Sequence, residues 1–253
     1  MRIDLNADLG EGYGAWPMGD DAALLAIVSS ASIACGFHAG DPDIMVETAG
    51  LAKARRVAIG AHPGFADLAG FGRRAIPTSA SRIERDVAYQ VGALQACAAI
   101  AGHRVTFVKA HGALANLANE DDAVAEAVAH AVAGVDRGLA LVVMPGLPAE
   151  RAGERAGLRC VREVYADRAY AGDGRLAPRS DPGAVLHDPA DIAERVGRMV
   201  AERAITTVAG TRIPAAIETV CVHGDTPGAV AAARAVSQAL ESAGLAVRAF
   251  APA

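Results

Sequence analysis

Four times in this chain a short apolar run ends in a loop that carries a histidine. Ala31–Cys35 leads to His38, Val57–Ala61 to His62, Val105–Lys109 to His111, and Thr219–Val222 to His223. Such runs, bounded by glycine or proline, read as buried strands. Helix-like stretches of ten or more residues lie between them. Strands alternating with helices build a parallel sheet with helical crossovers, and seven or eight units favour a barrel over an open sheet. In a parallel barrel every strand-to-helix loop opens on one face, where active sites form. The four histidines are therefore expected to converge in one pocket.

The first stretch sets the pattern. Ile3 and Leu5 alternate with Asp4 and Asn6, the period of a strand, so Asn6 and Asp8 point the same way before Gly10, Gly12 and Gly14 break it. Later strands are expected at Ser32–Cys35, Val57–Ala61, Val105–Lys109, Leu139–Met144, Leu158–Val164, Thr219–Val222 and Ala246–Phe250. Helices are expected over Asp20–Val28, from Asp41-Pro42 to Arg55, from Ser79 or Ser81 to Gly102, over Glu120–Ala133 and Pro148–Ala156, from Asp188-Pro189 to Arg203, and from Thr226-Pro227 to Ala243. The expectation is a (β/α) TIM-like barrel of seven or eight parallel strands, one domain over residues 1–253.

At 52% hydrophobic and 21% charged residues, the length suits one undivided core. Net charge is −5, and no basic stretch has the aromatic interleaving of a nucleic-acid binder. The opening residues carry Asp4, Asn6 and Asp8 rather than an apolar leader, and no run spans a membrane. A cytoplasmic location is the expectation. Cys35, Cys97, Cys160 and Cys221 lie far apart in apolar segments, as buried thiols do.

Gly10-Glu-Gly-Tyr-Gly-Ala15 fits G-x-G-x-x-G/A, but Trp16-Pro17 follows instead of an apolar helix, which argues against a dinucleotide loop. No P-loop occurs. Asp8 and Glu11 are the carboxylate candidates. Asp41 and Asp225 each precede a Pro-bearing helix start and read first as caps. Lys109 ends a buried strand in a chain with only one other lysine, Lys53. It reads as an anion-stabilising group rather than a rim lysine, one that Met can replace with the fold near normal. Arg73 and Arg74 fit an anion clamp or a solvated loop. Glu163, Asp167 and Arg168 open the longest loop, a candidate lid.

The segments D-L-N-A-D-L-G-E-G, I-A-C-G-F-H-A-G-D-P, I-G-A-H-P-G-F-A-D-L-A-G-F-G-R-R, V-K-A-H-G-A-L-A-N, Y-A-D-R-A-Y and C-V-H-G-D-T-P occur in that order. Together they resemble the LamB/YcsF family. Ala7, Ala110 and Ala115 depart from the family's usual Cys, Pro and Tyr, so no cysteine nucleophile stands at position 7. The resemblance implies a distorted barrel similar to glycoside hydrolases and polysaccharide deacetylases. It implies ATP-dependent opening of 5-oxoproline to glutamate, with Mg²⁺ and two partner subunits, B and C. A homo-oligomer also fits. Candidate catalytic residues are Asp8, Glu11, His38, His62, Lys109, His111 and His223. Candidate substrate or ATP contacts are Asn6, Asp41, Arg73, Arg74 and Asp225. Asp8, His38 and His62 are the candidate ligands should a metal bind. Two rivals remain: a metal-dependent carbohydrate deacetylase-like hydrolase and a non-catalytic substrate-binding subunit.

Overall fold

The structure, a computed structural model, describes residues 2–251. Seven parallel strands close into a barrel: β1 (Arg2–Leu9), β2 (Ser30–Ala34), β3 (Ala58–His62), β4 (Val105–Lys109), β5 (Ala140–Val143), β6 (Arg159–Tyr165) and β9 (Thr219–Val222). Closure comes from β9 pairing with both β6 and β1. The helices α1 (Asp21–Leu24), α2 (Pro42–Arg55), α3 (Ala80–Ile100), α4 (Gly112–Ala118), α5 (Asp122–Val135), α6 (Pro148–Arg155), α7 (Pro189–Glu202) and α8 (Ala229–Ser242) connect them.

Strand alternation sorts β1 cleanly. Ile3, Leu5, Ala7 and Leu9 join the apolar layer between strands and helices, while Asp4, Asn6 and Asp8 point into the lumen. The lumen is stratified. At its base Phe107, Ala140, Val142, Val161 and Phe250 form an apolar plug. Gly60 on β3 has no side chain because a methyl there would overlap the Phe107 ring. The last expected strand shrinks to β10 (Ala246–Val247), which pairs with the start of β1 before the chain turns and carries Phe250 into that plug. Above the plug the lumen is polar.

Three elements lacked a sequence signal. Helix α4 starts directly after His111. An antiparallel pair, β7 (Ala204–Thr206) and β8 (Arg212–Pro214), lies outside the barrel between α7 and β9. Strands of three residues are too short to show a period. Ser79 rather than Ser81 caps α3, its hydroxyl accepting from Arg82 N.

Candidate active site

Strand register brings side chains from three strands, β1, β6 and β9, to the buried ammonium of Lys109 on β4. Lys109 Nζ lies 2.8 Å from Asp8 Oδ1 and 3.1 Å from Glu163 Oε1. It also donates to Asn6 Oδ1 at 3.1 Å and Cys221 Sγ at 3.0 Å. Asn6 in turn donates to Glu163 Oε1 and Thr219 Oγ1. Burial alone would strip the proton from Lys109, but the facing Asp8, Cys221 and Glu163 hold its pKa well above the usual lysine value. Burial likewise opposes the charge on Asp8, and His62 and Lys109 outweigh it, so Asp8 titrates well below the carboxylate range.

The histidines form a second layer. His62 Nδ1 lies 2.8 Å from Lys109 O, and His111 Nε2 lies 2.8 Å from Phe71 O. A carbonyl only accepts, so both of those nitrogens are protonated donors. The remaining nitrogens, His62 Nε2 and His111 Nδ1, face each other at 3.0 Å. His38 stacks on His111 with ring centres 3.7 Å apart, and Glu11 Oε1 lies 3.5 Å from His38 Nε2. Burial, reinforced by neighbouring histidines, pushes His38 and His111 well below the usual imidazole value. Burial and the nearby Asp8 and Asp225 push Glu11 well above the usual carboxylate range. Across the pocket, His223 Nδ1 lies 2.8 Å and 2.9 Å from the two oxygens of Asp167, which leaves Nε2 as its other ring nitrogen.

Loop geometry makes this close packing possible. Phe71 sits at φ 54°, a left-handed conformation rare for an aromatic residue, and so presents its carbonyl to His111. Gly72 follows at φ 63°, where a Cβ would stand 2.7 Å from His38 Cβ.

A cavity of about 470 Å³ opens above these layers. Asp8, His62, Lys109, His111, Tyr165 and His223 line it, and Arg73, Arg168, Arg175 and Arg179 also face it. Six of the residues expected from sequence thus meet at one cavity: Asp8, His62, Lys109, His111, His223 and Arg73. Glu11 and His38 pack behind His111, and Asn6 lies beneath Lys109. Asp225 sits at the rim, 2.6 Å from Arg73 Nη2, and does not cap the last helix, which starts beyond Gly228. Two of the expected residues are not brought to this cavity. Asp41 is outside it, in the capping role that its position before Pro42 suggests: it caps α2 through Asp43 N and Ile44 N and accepts from Gly14 N. Arg74 is largely exposed and pairs with Asp67, as the solvated-loop alternative has it. Sequence reasoning placed Glu163 and Asp167 at a lid. Glu163 is instead a buried partner of Lys109, and its signal was a charge at an inward position between Val161 and Tyr165. Arg179 gave no signal.

Among the described residues, Glu11, His38, His62 and His111 each offer one donor atom within 4.8 Å of the others, a spacing within reach of a single metal ion.

Fold and site together define a seven-stranded parallel (β/α) barrel with a buried lysine–carboxylate–histidine cluster at the carboxyl ends of its strands. Within that class the chain belongs to the LamB/YcsF family, whose model matches residues 3–253. It is 60% identical over 252 residues to the A subunit of 5-oxoprolinase from Rhodopseudomonas palustris strain BisB5, covering 99% of each chain. Its fold matches the crystal structure of a lactam utilization protein from Thermus thermophilus with a TM-score of 0.93 and 48% identity, over 99% of this chain and 100% of that one. The catalytic domain of a peptidoglycan N-acetylglucosamine deacetylase from Eubacterium rectale shares the barrel alone: TM-score 0.50, 11% identity, 98% of this chain and 88% of that one. Among the described residues no helix is long and apolar enough to cross a membrane.

Proposed function

We propose that this chain is the lactam-opening subunit of an ATP-dependent 5-oxoprolinase, acting with two further subunits, B and C. The observation that carries the reading is the cavity itself: acid–base groups lie at its floor, and arginines face a space of about 470 Å³, within the range of small-molecule sites. The Rhodopseudomonas relative, named for 5-oxoprolinase, supports the choice of substrate.

A lactam is a resonance-stabilised amide that water attacks slowly. In the proposed sequence its oxygen attacks the γ-phosphorus of ATP, brought in with Mg²⁺ on its phosphates. The bond to ADP breaks, and the ring N–H proton passes to a base. Water then adds across the C=N bond, its oxygen to carbon and one proton to the ring nitrogen; the new hydroxyl loses its proton as the nitrogen takes up a second one, and the C–N bond breaks to leave an acyl phosphate and a free amine. A second water releases glutamate and phosphate. Asp8, ionised beside Lys109, accepts the ring N–H. His223, held by Asp167, exchanges protons with water and the leaving nitrogen. Arg73, Arg168 and Arg179 meet the substrate carboxylate and the phosphates.

The test is glutamate release from 5-oxoproline by the complex with B and C, with and without ATP. Release is expected only with ATP. His223→Gln is expected to lower turnover about 10²–10⁴-fold, while His130→Gln, on the exposed face of α5, leaves it unchanged. Undiminished turnover in His223→Gln, or glutamate release without ATP, sinks the reading.

A further inference from the structure

Four buried side chains beside the cavity are short of a positive charge. With Lys109 O and Phe71 O each taking a proton from one ring nitrogen, the remaining nitrogens, His62 Nε2 and His111 Nδ1, face each other at 3.0 Å, and His62 Nε2 also stands 3.4 Å from Asp8 Oδ2. Two acceptor nitrogens at that distance require a proton or a metal ion between them. His38 has no hydrogen-bond partner at either ring nitrogen, and Glu11 Oε1 has none either, although all are buried. Glu11 Oε1 stands 3.5 Å from His38 Nε2 and 3.7 Å from His111 Nδ1. A tetrahedral ion with bonds of 2.0–2.2 Å keeps its donor atoms roughly 3.4 Å apart.

We propose that Glu11, His38, His62 and His111 bind one divalent transition-metal ion of the Zn²⁺ type. Three imidazoles and one carboxylate suit such an ion, whereas Mg²⁺ and Ca²⁺ require oxygen ligands. The carbonyls of Lys109 and Phe71 act as the outer partners that fix the tautomers of metal-ligating histidines. Burial keeps His38 and His111 below the usual imidazole value, as ligation requires. The His38 ring now lies parallel to His111, within 3°. A ligating ring must contain the ion near its own plane, so His38 tips out of the stack on binding. No hydrogen bond holds its ring nitrogens against that turn.

The site is independent of the lactam reading, because its test needs no substrate. The full chain, stripped with chelator, is titrated with Zn²⁺ and Co²⁺ while stoichiometry, the Co²⁺ visible spectrum and the unfolding midpoint are followed. One ion per chain, the ligand-field bands of a four-coordinate N/O site, a raised midpoint and no competition by Mg²⁺ are expected. His38→Gln and His111→Gln are expected to weaken binding by about 100-fold or more, and His130→Gln to bind as the parent does. Should a variant fail to fold, ¹⁵N histidine spectra of the parent decide: the signals of His38, His62 and His111 must shift with Zn²⁺. No binding above the level of the histidine variants, or spectra showing a proton retained between His62 and His111 in excess Zn²⁺, overturns the proposal.

Discussion

Replacing Lys109 with Met removes the ammonium 2.8 Å from Asp8 and 3.1 Å from Glu163. Two buried carboxylates are then left without a counter-charge, and breaking a buried pair costs about 3–5 kcal/mol. The expected outcome is a thermal midpoint lowered by roughly 6–20 °C together with turnover reduced about 10²–10³-fold. Differential scanning calorimetry and steady-state assays of the complex check the two parts. Because Glu163 shares the lysine, the structure argues for a larger loss of stability than the near-normal fold expected from sequence. Asp4, deeper in the lumen, makes the opposite case. It accepts from Ser29, Ser30 and Thr219 hydroxyls at 2.6, 2.8 and 2.5 Å, with no cation among these partners and Glu163 the nearby like charge. Burial pushes its pKa up to about 6, and the gap from the ordinary 3.8 is worth about 3 kcal/mol. The folded state holds this proton more tightly than the unfolded chain. That contribution is therefore fully present below about pH 4, is lost as pH rises through about 6, and stays level above. Asp4→Asn is expected to remove this fall, measured as unfolding free energy against pH for both proteins. An unchanged profile would mean that Asp4 stays ionised throughout.

At the scale of elements, caps decide which acidic residues are free for chemistry. Asp41 satisfies Asp43 N and Ile44 N at the start of α2. Asp41→Ala is expected to cost about 1 kcal/mol and leave turnover unchanged, checked by urea unfolding beside the assay. A loss of activity at full stability would return Asp41 to the site. Asp225, with a similar Thr-Pro sequence after it, does not cap, because Gly228 takes a left-handed turn and α8 begins one residue later. The barrel strands were legible as short apolar runs, most of them buried on both faces, and the long helices by their caps and their spacing. The β7–β8 pair and α4 were not, being too short for a period. The rim arginines were not legible either. Arg168 is anchored to Ala177 O and Ala184 O by a loop whose path no local pattern encodes.

For the molecule as a whole, the proposed division of labour has a direct consequence. Isolated chain supplied with 5-oxoproline and Mg·ATP is expected to release no glutamate, and addition of B and C to restore release. Full turnover by the isolated chain would refute that division. The lumen that does this work is assembled from distant parts of the sequence: Asp4 and Thr219, which close its lower polar layer, are 215 residues apart. Synthesis proceeds at about 5–20 residues per second, so the carboxylates of β1 wait roughly 10–40 s for the strand that seals them in. During that interval β1 to β6 can stand only as an open sheet, with one edge of β1 and one edge of β6 unpaired. A growing chain of this design depends on being kept from its neighbours until β9 arrives, and every copy in a polysome passes through that state.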